Sequence, residues 1–190
     1  MSRLWVTGYR SYEIGTFGNE DPKIEILKYA LEQELRVLIE QGVDWILTGG
    51  QMGTEQWTIE VAYNLKNDYP DLKIALLYPF KGFGDQWQQS SKDKLRLTKK
   101  LVDFSDTVSK LPYKNPQQLK NYQIFMLSHT DLALLLYDTE FKGKVYYDYQ
   151  AILAKQGKSP YPSYLVDMDK LQDYAIAYNE ILHDTTQFFE

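Results

Sequence analysis

With 190 residues, 44% of them hydrophobic and 25% charged, the chain can bury one substantial core, and a single domain over 1–190 is the expectation. A formal net charge of −5 argues against a protein whose main task is to coat nucleic acid, because sequence-independent affinity there comes from neutralising phosphates. There is no cysteine, and the two histidines, His129 and His183, stand far apart; this excludes disulfides, thiol catalysis and a local zinc motif, and no metal or other cofactor is expected.

Leu4-Trp5-Val6 reads as a first strand that ends in Thr7-Gly8-Tyr9-Arg10. Asp21 and Pro22 then supply an N-cap and a first-turn proline for a helix whose apolar positions Ile24, Leu27, Leu31, Leu35 and Leu38 keep a helical period. Gly42 follows its end. A second strand over 45–47 runs into Gly49-Gly50-Gln51-Met52-Gly53 and opens a helix near 54–65, with Trp57, Val61 and Leu65 on one side. The third strand, 74–78, is expected to break at Pro79. A charged helix near 86–104, a weak strand at 107–111 and a helix after Pro116 follow. The strongest strand signal is 132–137; at six residues it is far short of the ~18 that a membrane span needs. The N-terminus turns polar at Thr7, so neither insertion nor secretion is indicated and a cytoplasmic protein is expected. A helix near 146–156, a strand at 164–166 and a helix from Asp169 complete the chain. Strand-like runs separated by helix-length segments indicate a three-layer α/β fold with a mostly parallel sheet and few hairpins.

In such a sheet a ligand lies at the carboxyl edge, where loops leave the strands. The second strand delivers Gly49, Gly50, Gln51, Gly53 and Glu55 to that edge. Glycines there can take positive φ and let a ligand approach the main chain, while the helix N-terminus beyond them offers unpaired N–H groups to an anion. The alternative is a tight strand-to-helix turn without a ligand, which needs one glycine and not three within five positions. Other strand ends bring Gly8, Tyr9 and Arg10, then Phe80 and Trp87, then Asp138. Arg can pair bidentately with a phosphate and an aromatic face can hold a base, which suits a nucleotide; otherwise Tyr9 and Phe80 cover the sheet end and Arg10 is a solvated charge.

Glu55 is the one candidate for chemistry. In the first turn of a helix its carboxylate is stabilised by the helix dipole, which lowers its basicity, yet it can hydrogen-bond a ribose hydroxyl or orient a water. A first-turn charge that simply favours the helix is the competing role. An enzyme needs a second polar group in the pocket, for which Asn121 or Asp138 would have to come close. Lys92, Arg96 and Lys100 recur at helical spacing; they read as a solvated face, or as part of a single-strand groove if they join the glycine loop.

Thr7-Gly8-Tyr9-Arg10, Gly49-Gly50-Gln51-Met52-Gly53-Thr54-Glu55-Gln56-Trp57, Tyr78-Pro79-Phe80 with Trp87, Lys120-Asn121 and the strand 131–138 together resemble the YpsA-like family of small bacterial proteins. The resemblance covers most of the chain in the same order. It implies membership of the superfamily that also holds DprA and the Lonely Guy enzymes, a Rossmann-like fold, and a nucleotide or nucleotide-derived ligand. It implies a site more firmly than a reaction, so a sensor or adaptor leads, with a nucleotide-processing enzyme and a single-strand binder as alternatives. Tyr137-Asp138 is followed by Gly143-Lys144-Val145, not by a second glycine-glycine-threonine turn. Nor is there the proline-glycine-glycine motif with its catalytic glutamate, which sets the chain apart from the phosphoribohydrolases. The base, the oligomeric state and protein partners are left open.

Overall fold

The computed structural model describes residues 1–187. Six strands, β1 (Ser2–Gly8), β2 (Val43–Thr48), β3 (Lys73–Lys81), β4 (Phe104–Pro112), β5 (Leu132–Leu136) and β6 (Ser163–Val166), alternate with six helices. These are α1 (Pro22–Glu40), α2 (Thr54–Leu65), α3 (Gln89–Lys99), α4 (Gln117–His129), α5 (Tyr146–Gln156) and α6 (Met168–Gln187). All strand pairs are parallel, in the order β4-β3-β2-β1-β5-β6. This is a Rossmann-like three-layer α/β fold. Right-handed crossovers place α1, α2 and α3 on one face and α4 and α5 on the other. The packing of α1 on α2 and α6, and of α4 on α5, follows that division. Among the described residues, no helix is long and apolar enough to cross a membrane.

The central strands explain the strongest sequence signals. Leu4, Trp5 and Val6 of β1 and Ala133 to Leu136 of β5 are fully buried, because helices cover both faces of an interior parallel strand and leave no solvent side to alternate toward. α1 begins where Asp21 accepts a hydrogen bond from the Lys23 amide, with Pro22 in its first turn. Its buried stripe contains all five apolar positions of the helical period.

Three boundaries differ from expectation. β3 does not break at Pro79 but continues to Lys81, because β2 pairs with it only as far as Leu76. Beyond that point β3 has a partner on one side, and a residue without an N–H is tolerated. α3 stops at Lys99, well short of 104, and β4 starts early, at Phe104. There the Asp103 carboxylate accepts from the Ile74 amide and from Lys66, tying the strand start to β3 in a way no local pattern encodes.

Gly8 ends β1 where α2 crosses closest. A Cβ there would stand 2.7 Å from Thr54 Oγ1 and 2.8 Å from the Leu136 carbonyl. The absence of a side chain lets the start of α2 sit directly on the carboxyl edge of the sheet, which positions everything that follows.

Candidate functional site

The loop after β1 lies across the turn between β2 and α2. Arg10 and Gly53 form an antiparallel bridge, the Ser11 amide donates to the Met52 carbonyl at 3.1 Å, and the Thr54 amide donates to the Tyr9 carbonyl at 3.1 Å. Two loops separated by a whole helix in sequence therefore share one place. Gly53 has φ 115°, and a Cβ on it would stand 2.5 Å from the Ser11 nitrogen and 2.7 Å from the Tyr9 oxygen. Its side-chain direction is thus into neighbouring backbone. Gly53 lines a small cavity of about 250 Å³ on the far side of the turn.

On the near side lies a cavity of about 680 Å³ at the carboxyl edge of β1, β2 and β3, a volume suited to a ligand of nucleotide size. Of the residues singled out in the sequence it is lined by Arg10, Gly49, Gly50, Gln51 and Glu55. Pro79 and Phe83 form the wall beyond β3. The opposite wall comes from α4, through Lys120, Tyr122 and Gln123, from Lys144 just before α5, and from the start of α5, through Tyr147 and Asp148.

The floor is acidic and largely closed to solvent. Glu55 is 8% exposed, and its Oε2 accepts a 2.7 Å hydrogen bond from the Gln51 amide. The group that meets this turn's N–H is therefore the protein's own carboxylate. Burial pushes the Glu55 carboxyl up to about 7, against the opposing influence of Arg10, the Gln51 amide and the Thr7 hydroxyl. Desolvation outweighs the helix N-terminus here, so the expected lowering of basicity is corrected to a rise. The Asp148 carboxylate accepts from Thr7 Oγ1 at 2.9 Å and from Gln123 Nε2 at 2.8 Å. Burial holds it above the usual carboxylate range too. Thr7 sits between the two carboxyl groups, and the charge of Asp148 adds to the rise at Glu55.

Tyr122 completes the floor. It is 8% exposed, yet its hydroxyl has no hydrogen-bond partner. Burial and the charges of Glu55 and Asp148 push that phenol well above its ordinary range, so it remains a neutral O–H. The point where a Gly49 Cβ would stand is 2.5 Å from Glu55 Oε2 and 2.9 Å from the Tyr122 hydroxyl. Gly49 therefore lets the strand end pass between them, and nothing larger fits without moving one or the other. Arg10 is oriented by Glu13, whose Oε1 accepts from the Arg10 amide at 2.9 Å and lies 3.8 Å from its guanidinium. Glu13 Oε2 accepts from the Lys144 amide, so one carboxylate ties Arg10 to the backbone that carries Lys144.

The remaining sequence candidates stand around the cavity and not on its lining. Gly8 is packed under Thr54. Tyr9 is buried, and its hydroxyl bonds the Asp138 and Phe141 carbonyls and accepts from the Asp138 amide. Asp138 accepts from the Met168 and Glu140 amides, which fixes the start of α6 and the loop after β5. Phe80 and Trp87 each pack against Phe83, the ring that faces the cavity. Asn121 is exposed and accepts from Gln117. The basic residues of α3 contribute nothing to the lining.

Tyr122, Asp148 and Lys144 are absent from the sequence-based site because two of the three belong to helices and not to strand-end loops. A signal was present. Asp148 is one helical turn from buried Ile152, and Tyr122 falls on the stripe of Gln118 and Met126, so each puts a polar group on a helix's inward face.

Comparison with known proteins places this architecture. The model of the YpsA family, described as the YspA SLOG family, matches residues 4–171. A UPF0398 protein of Leuconostoc citreum is 60% identical over 180 residues, covering 95% of each chain. UPF0398 proteins of Levilactobacillus brevis and Latilactobacillus sakei are 50% and 49% identical, covering 99% and 100% of this chain and 100% of each relative. With the family match spanning both glycine-bearing loops, the sheet and the α4–α5 wall, the chain belongs to the YpsA family of SLOG proteins.

Proposed function

We propose that the cavity at the carboxyl edge of the sheet binds a nucleotide or nucleotide-derived ligand, and that the chain works as a sensor or adaptor. The observation that carries this reading is the convergence of Arg10, the Gly49–Gly50 strand end and the unpartnered Tyr122 hydroxyl on one cavity of about 680 Å³. An unpaired buried hydroxyl costs free energy that a ligand group can return. Phe83, supported by Phe80 and Trp87, supplies an aromatic wall for a base. Family membership points in the same direction. The test is a thermal-shift screen against ribonucleotides, dinucleotides and ADP-ribose-type compounds, because a ligand that binds only the folded state raises the melting temperature. At least one nucleotide is expected to raise it by several degrees, and Gly49→Ala, which fills the gap beside Glu55 and Tyr122, is expected to abolish that rise. No shift with any nucleotide would defeat the proposal.

One observation favours a second reading. A buried carboxyl with its pKa raised to about 7 beside a second carboxyl is suited to general acid–base work at a glycosidic bond. Under this reading the wild type releases free base from a nucleotide and Glu55→Gln loses that activity by ~10²-fold or more. Under the sensor reading no base is released and the Gln variant still binds.

A further inference from the structure

Resting on the proposed nucleotide site, we propose that the ligand lies sugar-inward: its ribose hydroxyls meet Glu55, Asp148 and Tyr122 on the floor, and its phosphates stay at the mouth with Lys120 and Lys144. This reverses the arrangement in which the glycine turn and the helix behind it cradle the phosphate.

Three of the amides such a cradle would use are already engaged. The Gln51 amide donates to Glu55 Oε2 at 2.7 Å, and the first amide of α2, on Thr54, donates to the Tyr9 carbonyl at 3.1 Å. The Gln56 amide is directed to the Gln51 carbonyl at 3.3 Å. An entering phosphate would have to displace an internal carboxylate and then sit beside Asp148 as well. An anion in that desolvated place is repelled by the ionised fraction of both carboxyl groups more strongly than it would be in water. Arg10 alone, already turned toward Glu13, offsets only part of this.

The floor is rich in acceptors, and the Tyr122 O–H is its unpartnered donor. Carboxylate oxygens accept, and the oxygens of Glu55 and Asp148 not already paired can accept more. A vicinal diol has two O–H groups to give and oxygen lone pairs to receive, so it satisfies both carboxyl groups and the Tyr122 hydroxyl together. That hydroxyl is the independent sign of a ligand: more than nine-tenths buried, lining the cavity, and unpartnered. Lys120 and Lys144 line the same cavity, are exposed, and form no ion pair among the described residues. In a chain of net charge −5, two uncommitted cations at one cavity mouth suit a phosphate held close to water.

The experiment is calorimetric titration of the intact protein with the four ribonucleoside 5′-diphosphates and with their 2′,3′-dideoxy counterparts. It is repeated for Tyr122→Phe and for the Lys120→Ala/Lys144→Ala double variant. Loss of the diol is expected to weaken binding by about tenfold or more, the scale of hydrogen bonds to charged groups. Tyr122→Phe, which removes only an unpaired atom, is expected to keep the melting temperature of the unliganded protein and to bind ribonucleotides less tightly. The lysine variant is expected to weaken diphosphate binding and flatten its salt dependence, while ribose-to-dideoxy discrimination persists. Equal affinity for ribo and dideoxy forms, with Tyr122→Phe binding as the wild type does, would overturn the sugar-inward arrangement and leave the nucleotide site standing. Failure of all four diphosphates to bind would overturn the sugar-inward arrangement, and only the further absence of any thermal shift with dinucleotides and ADP-ribose-type compounds would overturn the nucleotide site as well.

Discussion

Glu55→Gln is expected to remove about 2 kcal/mol of the decline in stability that the wild type shows between pH 5 and pH 8. The Glu55 carboxyl is raised from 4.5 to about 7 in the folded chain. Between those values the folded state holds a proton that the unfolded state has released, so stability falls as pH rises through the window and the loss is complete above about 7. Gln keeps the hydrogen bond from the Gln51 amide, because its amide oxygen can accept it, and has no charge to desolvate. The variant should therefore match the wild type most closely at the acid end and exceed it at pH 8. Glu60 and Asp103, held low by their lysine partners, work in the opposite direction. Both are present in either protein and cancel in the difference. Asp148, raised by burial, shares the sign of Glu55 and leaves a residual slope in the variant. Urea unfolding of both proteins across this range measures the difference, and parallel pH profiles would show that Glu55 is not desolvated as described.

Gly53→Ala is expected to destabilise the fold by about 3 kcal/mol or more, which lowers the melting temperature by roughly 10 °C in a chain of this size. The cost has two sources. A φ of 115° with ψ of −135° lies in a region that L-residues rarely enter. The added Cβ also meets the Ser11 nitrogen and the Tyr9 oxygen, both backbone atoms that cannot rotate away. Any relief would separate the two loops and carry Arg10 off the cavity. Gly50→Ala is the control: its Cβ meets the tips of the Leu95 and Tyr78 side chains at 2.9 and 3.0 Å, and no positive φ is involved. A Gly53→Ala protein that melts with the wild type, or no earlier than Gly50→Ala, would contradict this.

The contrast between these glycines shows which parts of the site were legible in the sequence. That the turn after β2 is special could be read from three glycines in five positions. What each glycine accommodates could not, because the neighbours are the loop after β1 for Gly53, α3 and β3 for Gly50, and α2 together with α4 for Gly49. The same division holds for the fold. The caps of α1, the period of α2 and the apolar runs of β1 and β5 are local facts and appear at or near the expected positions. The span of β3 past Pro79 depends on where β2 stops, which is set by pairing. For Glu55, position in a helix's first turn suggested a carboxylate of lowered basicity. Its neighbours Asp148 and Tyr122 come from the other face of the sheet, and they exclude water from it.

The most direct measurement is a crystal structure of the protein with the ribonucleotide that gives the largest thermal shift. The expected result is density in the cavity between Phe83 and Tyr147, with the sugar hydroxyls within ~3.2 Å of Glu55, Asp148 and Tyr122 and the phosphates toward Lys120 and Lys144. A nucleotide bound elsewhere on the molecule, with this cavity unchanged, would contradict the assignment of the site.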